Sequence, residues 1–169
     1  MSYRNKTYVA FASEDIKCYR LMEAWRDNDH IDFDFHDAHD LAAALDTSQP
    51  DTIRRRLRER LNNTKQVVLL GSAVCRSKAA RASSFIHYEV ETVLQLDLPV
   101  VVANLDGDRT VDQNFIPQAF LDKAHYTVSV SFQPTIIKYA LDNYAEEYAG
   151  SNKTGPHQYP ASVYANLGL

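Results

Sequence analysis

The sequence predicts a doubly wound α/β fold, in which a mostly parallel five-stranded sheet is covered by helices on both faces. Short apolar, β-prone segments alternate along the chain with segments whose apolar residues recur at helical spacing. Two of the apolar segments, 66–71 and 99–103, are continuous rather than alternating, which is typical of strands buried on both faces. No internal repeat or linker interrupts this order, so we expect the 169 residues to form one main domain.

Five segments are predicted to be strands. Segment 8–11 is short and apolar, and segment 31–35 alternates apolar with acidic residues, as a half-exposed strand near a sheet edge would. The two buried strands at 66–71 and 99–103 come next, and 127–132 is the last, less apolar strand. Because a helix joins successive strands, the sheet should be parallel. A ligand is then expected beyond the carboxyl ends of the strands, where the strand order reverses.

Four helices are predicted from apolar stripes. The first follows Ser13-Glu14-Asp15, a polar triplet suited to a helix start, the second starts at Pro50 and the fourth starts at Pro134. The stripes are Cys18, Leu21, Met22 and Trp25; Ile53, Leu57 and Leu61; Ile86, Val90, Val93 and Leu94; and Ile137, Leu141, Tyr144 and Tyr148. Segment 36–50 is predicted to be a long loop with a short helical turn at 41–45, and 72–84 a polar loop. We divide the chain into a domain at 1–148 and an appendage at 149–169.

Composition narrows the functional classes. The net charge of −4 gives no general attraction to nucleic acid or to an anionic membrane. We find no apolar run of the length that spans a bilayer and no signal-peptide pattern at the start. The two cysteines, Cys18 and Cys75, show no metal-ligand spacing and are too few for a disulfide framework. These features predict a reduced cytoplasmic protein without a bound metal.

The loops at the strand ends argue against several classes of protein that use this architecture. The turn after the first strand, 12–15, contains no glycine, whereas dinucleotide-binding domains need a glycine-rich turn there. The phosphate-binding GxxxxGK[ST] pattern is absent. A flavin phosphate would be repelled by the acidic residues of this turn. A phospho-accepting receiver needs an aspartate where this chain has Gly71-Ser72.

Three stretches carry a resemblance to a known family. They are VAFASED at 9–15, LNNT at 61–64 leading into VLLGS at 68–72, and FIHYE at 85–89. On these stretches the chain resembles the TIR-like proteins of bacterial Thoeris antiphage defence, small stand-alone TIR relatives once classed as a domain of unknown function. The resemblance covers roughly residues 7 to 106 and implies a TIR/flavodoxin-like form of the α/β fold. Many bacterial TIR enzymes have tryptophan where this chain has Phe85.

The resemblance implies an enzyme that cleaves NAD⁺, with Glu89 as the catalytic residue. It implies substrate-binding roles for Phe11, Ser13, Asp37, Ser72 and Phe85. The chemistry suits one carboxylate, because nicotinamide leaves as a neutral group and the oxocarbenium-like ribose needs negative charge beside it. NAD⁺ is the substrate, and no cofactor is implied. The expected product is an ADP-ribose derivative, cyclic in form, that diffuses to a separate effector protein during phage infection.

Each of these residues also has a purely structural interpretation. Glu89 lies four residues after Phe85, so we expect both side chains beside the Ile86/Val90/Val93 stripe at the rim of the ligand crevice. Position alone would favour an exposed glutamate paired with a cation, and the surrounding motif favours catalysis. Phe11 suits a core position, Ser13 a helix cap and Ser72 a strand end. Asp37 lies in the long loop with His39 and Asp40, where no spacing supports a metal.

Two other functions stay open at the level of sequence. One is a non-catalytic scaffold that binds partners through the loop at 37–48 and through the arginine-rich segment 54–60. The other is a sensor that holds NAD⁺ or a product without turnover. The five arginines of that segment suit a solvated helix face, or an assembly surface in a homo-oligomer. A phage-derived trigger that activates the protein is a further possible partner, which the sequence leaves open.

Overall fold

A computed structural model describes residues 6–37 and 49–169. Within them the chain forms one six-stranded parallel sheet in the order β2-β1-β3-β4-β5-β6. The strands are β1 (Lys6–Ala10), β2 (His36–Asp37), β3 (Gln66–Gly71), β4 (Val100–Asn104), β5 (Thr127–Ser131) and β6 (Pro156–Gln158). Strand order reverses at β1 and β3, which lie side by side in the sheet, as the doubly wound prediction requires.

Helices cover both faces of the sheet. They are α1 (Ile16–Arg26), α2 (Pro50–Leu61), α3 (Ala73–Ala79), α4 (Phe85–Gln95), α5 (Gln118–Asp122), α6 (Pro134–Tyr148) and α7 (Ala161–Asn166). The predicted TIR/flavodoxin-like α/β class is confirmed. The predicted strand 66–71 and the predicted helix starts at Pro50 and Pro134 agree with the observed bounds. Proline suits the first turn of a helix because its missing N–H has no partner there in any case.

The two faces have separate cores. The face covered by α2, α3, α4 and α5, here the α4 face, buries Tyr8, Leu57, Leu69, Ile86 and Phe120 among others. The face covered by α1, α6 and α7, here the α6 face, buries residues that include Tyr19, Val68, Ile137 and Tyr164. Successive residues of a strand point to opposite faces, so β1 contributes Tyr8 to one core and Val9 to the other.

The strand predicted at 31–35 is wrong in position. The segment is not paired with the sheet, and pairing begins only at β2, where His36 lies opposite Lys6. The alternating pattern nevertheless reports burial correctly, since Phe33 and Phe35 are buried while Asp32 and Asp34 are exposed. An extended segment can bury alternate rings without forming a ladder, and the sequence pattern does not distinguish the two cases.

The loop predicted at 72–84 contains α3, which the sequence analysis missed. Ser72 caps this helix by accepting a hydrogen bond from the Cys75 amide at 3.0 Å. Farther along α3, Arg76 donates to the carbonyl oxygens of Gln113 and Ile116 and to the side chain of Gln118. Arg76 thereby fixes the segment between β4 and α5 to α3. The helical turn predicted at 41–45 lies outside the described residues.

The segment assigned as an appendage adds the sixth strand to the predicted five. β6 pairs in parallel with β5 at the edge of the sheet, with His157 opposite Val128. In α7, Tyr164 is completely buried, and its hydroxyl oxygen accepts a hydrogen bond from the Ser131 amide at 3.1 Å. The segment 149–169 therefore shares the α6-face core with the rest of the chain.

No described helix combines the length and the apolar character that crossing a bilayer requires. Cys18 and Cys75 are both free thiols, Cys18 partly exposed and Cys75 buried.

Candidate functional site

A network of polar side chains joins the carboxyl ends of β1 and β3. Lys78 on α3 donates to the Ser13 hydroxyl at 2.9 Å and forms an ion pair with Glu14 at 2.7 Å. The Ser72 hydroxyl donates to the Asp15 carboxylate at 2.6 Å. The hydrogen bond from Lys78 lowers the pKa of Glu14, so this carboxyl group is ionised. The network connects α3 to the turn after β1 at the edge where a ligand is expected.

Ser13 and Ser72, two predicted substrate-binding residues, are thus brought into one network. Both hydroxyls already have protein partners, as the structural interpretation of each residue requires. A hydroxyl has one donor and two acceptor positions. These two hydroxyls can therefore exchange or add a partner when a ribose or phosphate group is present.

Glu89 lies deeper than the sequence analysis placed it. Its side chain is only 1% exposed, among the buried residues of α4. The Tyr8 hydroxyl donates a hydrogen bond to its carboxyl oxygen Oε1. The expectation of a rim position beside the core stripe is wrong, as is the alternative of an exposed surface glutamate. The error arises because α4 is buried on a wide arc rather than along one narrow stripe.

Burial dominates the electrostatics of this carboxyl group. Loss of solvation raises the pKa of Glu89 to about 8, against the opposing effects of the Tyr8 hydrogen bond and the Arg60 charge. A buried charge is costly unless it is paired, so the group keeps its proton up to a higher pH. Nearby Cys75 is also buried, and its thiol pKa is raised by burial and by the negative charges of Glu89 and Asp15. At neutral pH both groups are therefore largely protonated.

The two predicted aromatic residues lie on opposite faces of the sheet. Phe85 packs against the α4-face core, on the side of Glu89. Phe11 packs on the α6 face, where its ring stacks on Tyr19 with centroids 4.8 Å apart. The structure thus does not bring Phe11 together with Phe85. Asp37 ends β2 opposite Thr7, and its side chain lies outside the described part of the structure.

Two arginines of the arginine-rich helix α2 contact side chains of α4. Arg54 donates to Glu91 at 3.1 Å and lies over the Tyr88 ring, 5.0 Å from its centroid. Arg58 donates to Gln95 at 2.7 Å. These contacts favour the solvated-face interpretation for Arg54 and Arg58 over an assembly surface.

The family model described as Thoeris protein ThsB, TIR-like domain, matches residues 8–110. The chain belongs to this family. The match begins at Tyr8, spans the polar network and Glu89, and ends in the segment after β4. No curated protein matches the chain.

Sequence reasoning about this TIR-like chain missed three residues that the structure places around Glu89 and the polar network: Tyr8, Cys75 and Lys78. Tyr8 was visible only as an apolar residue of a strand, because the sequence does not show which helix covers it. Cys75 and Lys78 were assigned to a loop. The available signal was Ser72 followed by Cys75 and Ala79, a capping residue before two apolar positions four residues apart.

Within 6–37 and 49–169 no group of three or more histidine, cysteine, aspartate or glutamate side chains is placed to hold a metal ion.

Proposed function

We propose that this chain cleaves the nicotinamide–ribose bond of NAD⁺ through Glu89 and produces a cyclic ADP-ribose signal that activates a separate antiphage effector. Membership of the Thoeris TIR-like family supports the defence role. The observation that carries the chemistry is the buried carboxyl group of Glu89, which accepts a hydrogen bond from Tyr8 beneath α4.

The reaction needs negative charge beside the ribose as nicotinamide departs. An ionised Glu89 would provide it, and its effect would be strong because a site with little water has a low dielectric constant. A bound cationic substrate favours the ionised form of a neighbouring carboxyl group. Substrate binding would therefore lower the pKa of Glu89 from its raised value. The polar network of Ser13, Ser72 and Lys78 would bond the ribose and phosphate oxygens.

The decisive experiment compares three proteins in nicotinamide release from NAD⁺. Glu89→Gln keeps the size of the side chain but removes its charge, so we expect a fall in rate on the order of 100-fold or more. Glu91→Gln is the matched control, since Glu91 lies on the same helix and faces Arg54 at the surface. Its rate should equal the parental rate. Assays at high protein concentration and in infected cells allow for an assembly step or a trigger.

Glu89→Gln protein that is folded and releases nicotinamide at the parental rate would refute the catalytic role. The cyclic product is tested separately by mass spectrometry of the reaction. Exposure of effector-containing cells to the purified product then tests the signal.

A second candidate is a sensor that binds NAD⁺ without turnover. The raised pKa of Glu89 favours it, because a protonated carboxyl group does not stabilise a cation. Calorimetric binding of NAD⁺ without nicotinamide release, both at neutral pH and at pH 9, would support the sensor. Release that grows as the pH rises would support the enzyme.

A further inference from the structure

The Tyr8 side chain has a position that the proposed reaction does not by itself explain. Tyr8 lies in the middle of β1, opposite Val67 of β3, and is completely buried. Its hydroxyl donates to Oε1 of Glu89 across the packing between the sheet and α4. The two residues are 81 positions apart in the sequence. The contact therefore exists only in the folded chain.

Both partners are held by rigid elements. β1 is paired on both sides, with β2 and with β3. α4 starts at a fixed position because the Ser84 hydroxyl accepts a hydrogen bond from the His87 amide. A hydrogen bond between two such elements holds the carboxyl oxygen at one place. Sites built on strands and helices keep their geometry better than sites built on loops.

The titratable groups that face Glu89 come from three elements. Tyr8 on β1 donates a hydrogen bond, Arg60 on α2 contributes a positive charge, and Cys75 on α3 is a neutral thiol at neutral pH. Burial favours the protonated carboxyl group, whereas Tyr8 and Arg60 both favour the carboxylate. The influence of Tyr8 reaches Glu89 by a direct hydrogen bond.

We propose that Tyr8 is a positioning residue of this site, whose hydroxyl orients the Glu89 carboxyl group and stabilises its ionised form. The inference rests on the proposed function, since it assigns a positioning residue to the same carboxylate. The hydrogen bond from Tyr8 offsets part of the cost of burial, so that Glu89 ionises at a lower pH than burial alone would allow.

The test removes only the hydroxyl, in Tyr8→Phe. Hydrogen bonds to charged groups are the stronger kind, so the midpoint of Glu89 ionisation should rise by about one pH unit. Carbon-13 NMR of the glutamate carboxyl groups measures this midpoint directly, with the signal assigned by its loss in Glu89→Gln. The pH profile of nicotinamide release should shift by the same amount. The rate at pH 7 should then fall up to about tenfold and recover at higher pH.

Tyr144→Phe is the matched control. The Tyr144 hydroxyl is equally buried, but it lies on the α6 face, where it accepts from the Val100 amide and donates to the Tyr126 carbonyl. Its removal should leave the midpoint of Glu89 unchanged. A purely structural role for Tyr8 would lower the rate equally at every pH without moving that midpoint.

The outcomes separate the two proposals. An unchanged Glu89 midpoint in folded Tyr8→Phe overturns the inference, even if the chain cleaves NAD⁺. A shifted midpoint in a protein that never releases nicotinamide refutes the enzyme but upholds the effect of Tyr8 on ionisation. If Tyr8→Phe does not fold, the parent chain supplies the test. The ring carbon that bears the Tyr8 hydroxyl should then titrate with the midpoint of Glu89, and a flat signal overturns the inference.

Discussion

The two faces of the sheet bury tyrosine hydroxyls against different partners. On the α6 face, Tyr144 and Tyr164 accept hydrogen bonds from backbone amides of Val100 and Ser131. On the α4 face, Tyr8 donates to the carboxyl group of Glu89. The first arrangement gives hydrogen-bond partners to buried backbone amides and stabilises the fold. The second acts on a group that titrates, so its consequences depend on pH. A buried hydroxyl thus has to be interpreted through its partner.

We expect the largest loss of stability from a substitution on the α6 face. Tyr164→Ala removes a completely buried ring and the partner of the Ser131 amide, so we expect the free energy of unfolding to fall by about 3–5 kcal/mol. Urea denaturation measures the change. Leu21→Ala is the control, because Leu21 is 45% exposed and should contribute little. A similar small loss in both variants would mean that the C-terminal segment is not part of the core.

The buried carboxyl group on the α4 face should make the free energy of unfolding depend on pH. The folded chain holds the proton of Glu89 up to about pH 8, whereas an exposed glutamate loses it near 4.5. The stability contributed by this group is therefore complete below about pH 4.5 and is lost as the pH rises through 8. Glu89→Gln abolishes this dependence. The difference in unfolding free energy between parent and variant should move in favour of the variant by about 1.4 kcal/mol per pH unit in that window.

Denaturant titrations at several pH values between 5 and 8 measure that slope. Glu91→Gln, changed at the surface, should follow the parent throughout. A constant difference between parent and Glu89→Gln would mean that Glu89 ionises at an ordinary pH and that its burial is relieved in solution.

We expect the smallest loss of stability from substitutions at two helix N-caps on the α4 face. Ser72→Ala and Ser84→Ala each remove an N-cap hydrogen bond, from the Cys75 amide and from the His87 amide respectively. Each should cost about 1 kcal/mol in unfolding free energy. Ser72→Ala alone removes the side-chain hydrogen bond to Asp15, whereas Ser84→Ala removes a bond to the backbone carbonyl of Lys78. We therefore expect Ser72→Ala alone to raise KM for NAD⁺ in the proposed reaction. An equal rise of KM in both variants would assign Ser72 a purely structural role.

The fold class could be predicted from the sequence because it follows from local patterns of apolar residues. The continuous run at 66–71 and the periodic residues of α6 are strong signals, and both are confirmed. The sequence did not predict β6, because Pro156–Gln158 is short and pairs with β5 only through tertiary contact. The pattern at 31–35 was misleading for the opposite reason, since its alternation arises from packing without pairing.

The candidate site could be predicted only in part. Ser13 and Ser72 do lie in one network, because the ends of neighbouring parallel strands meet at one edge. The depth of Glu89 could not be predicted, since it depends on how far α4 is covered by α2 and β1. The hydrogen bond from Tyr8 joins positions 81 residues apart, and no local pattern reports such a contact. The roles of Glu89, Phe11, Phe85 and Asp37 in substrate binding and catalysis stay predictions.

The contacts of Arg76 also bear on how the chain would open under a protease. A protease draws several residues of extended chain into its cleft, so cleavage within a folded domain usually requires local unfolding first. The segment between β4 and α5 carries an exposed Arg109, an obvious target for trypsin. The planar guanidinium group of Arg76 holds two carbonyl oxygens of that segment and the start of α5. We therefore expect trypsin to cut there slowly, once the segment has released α3.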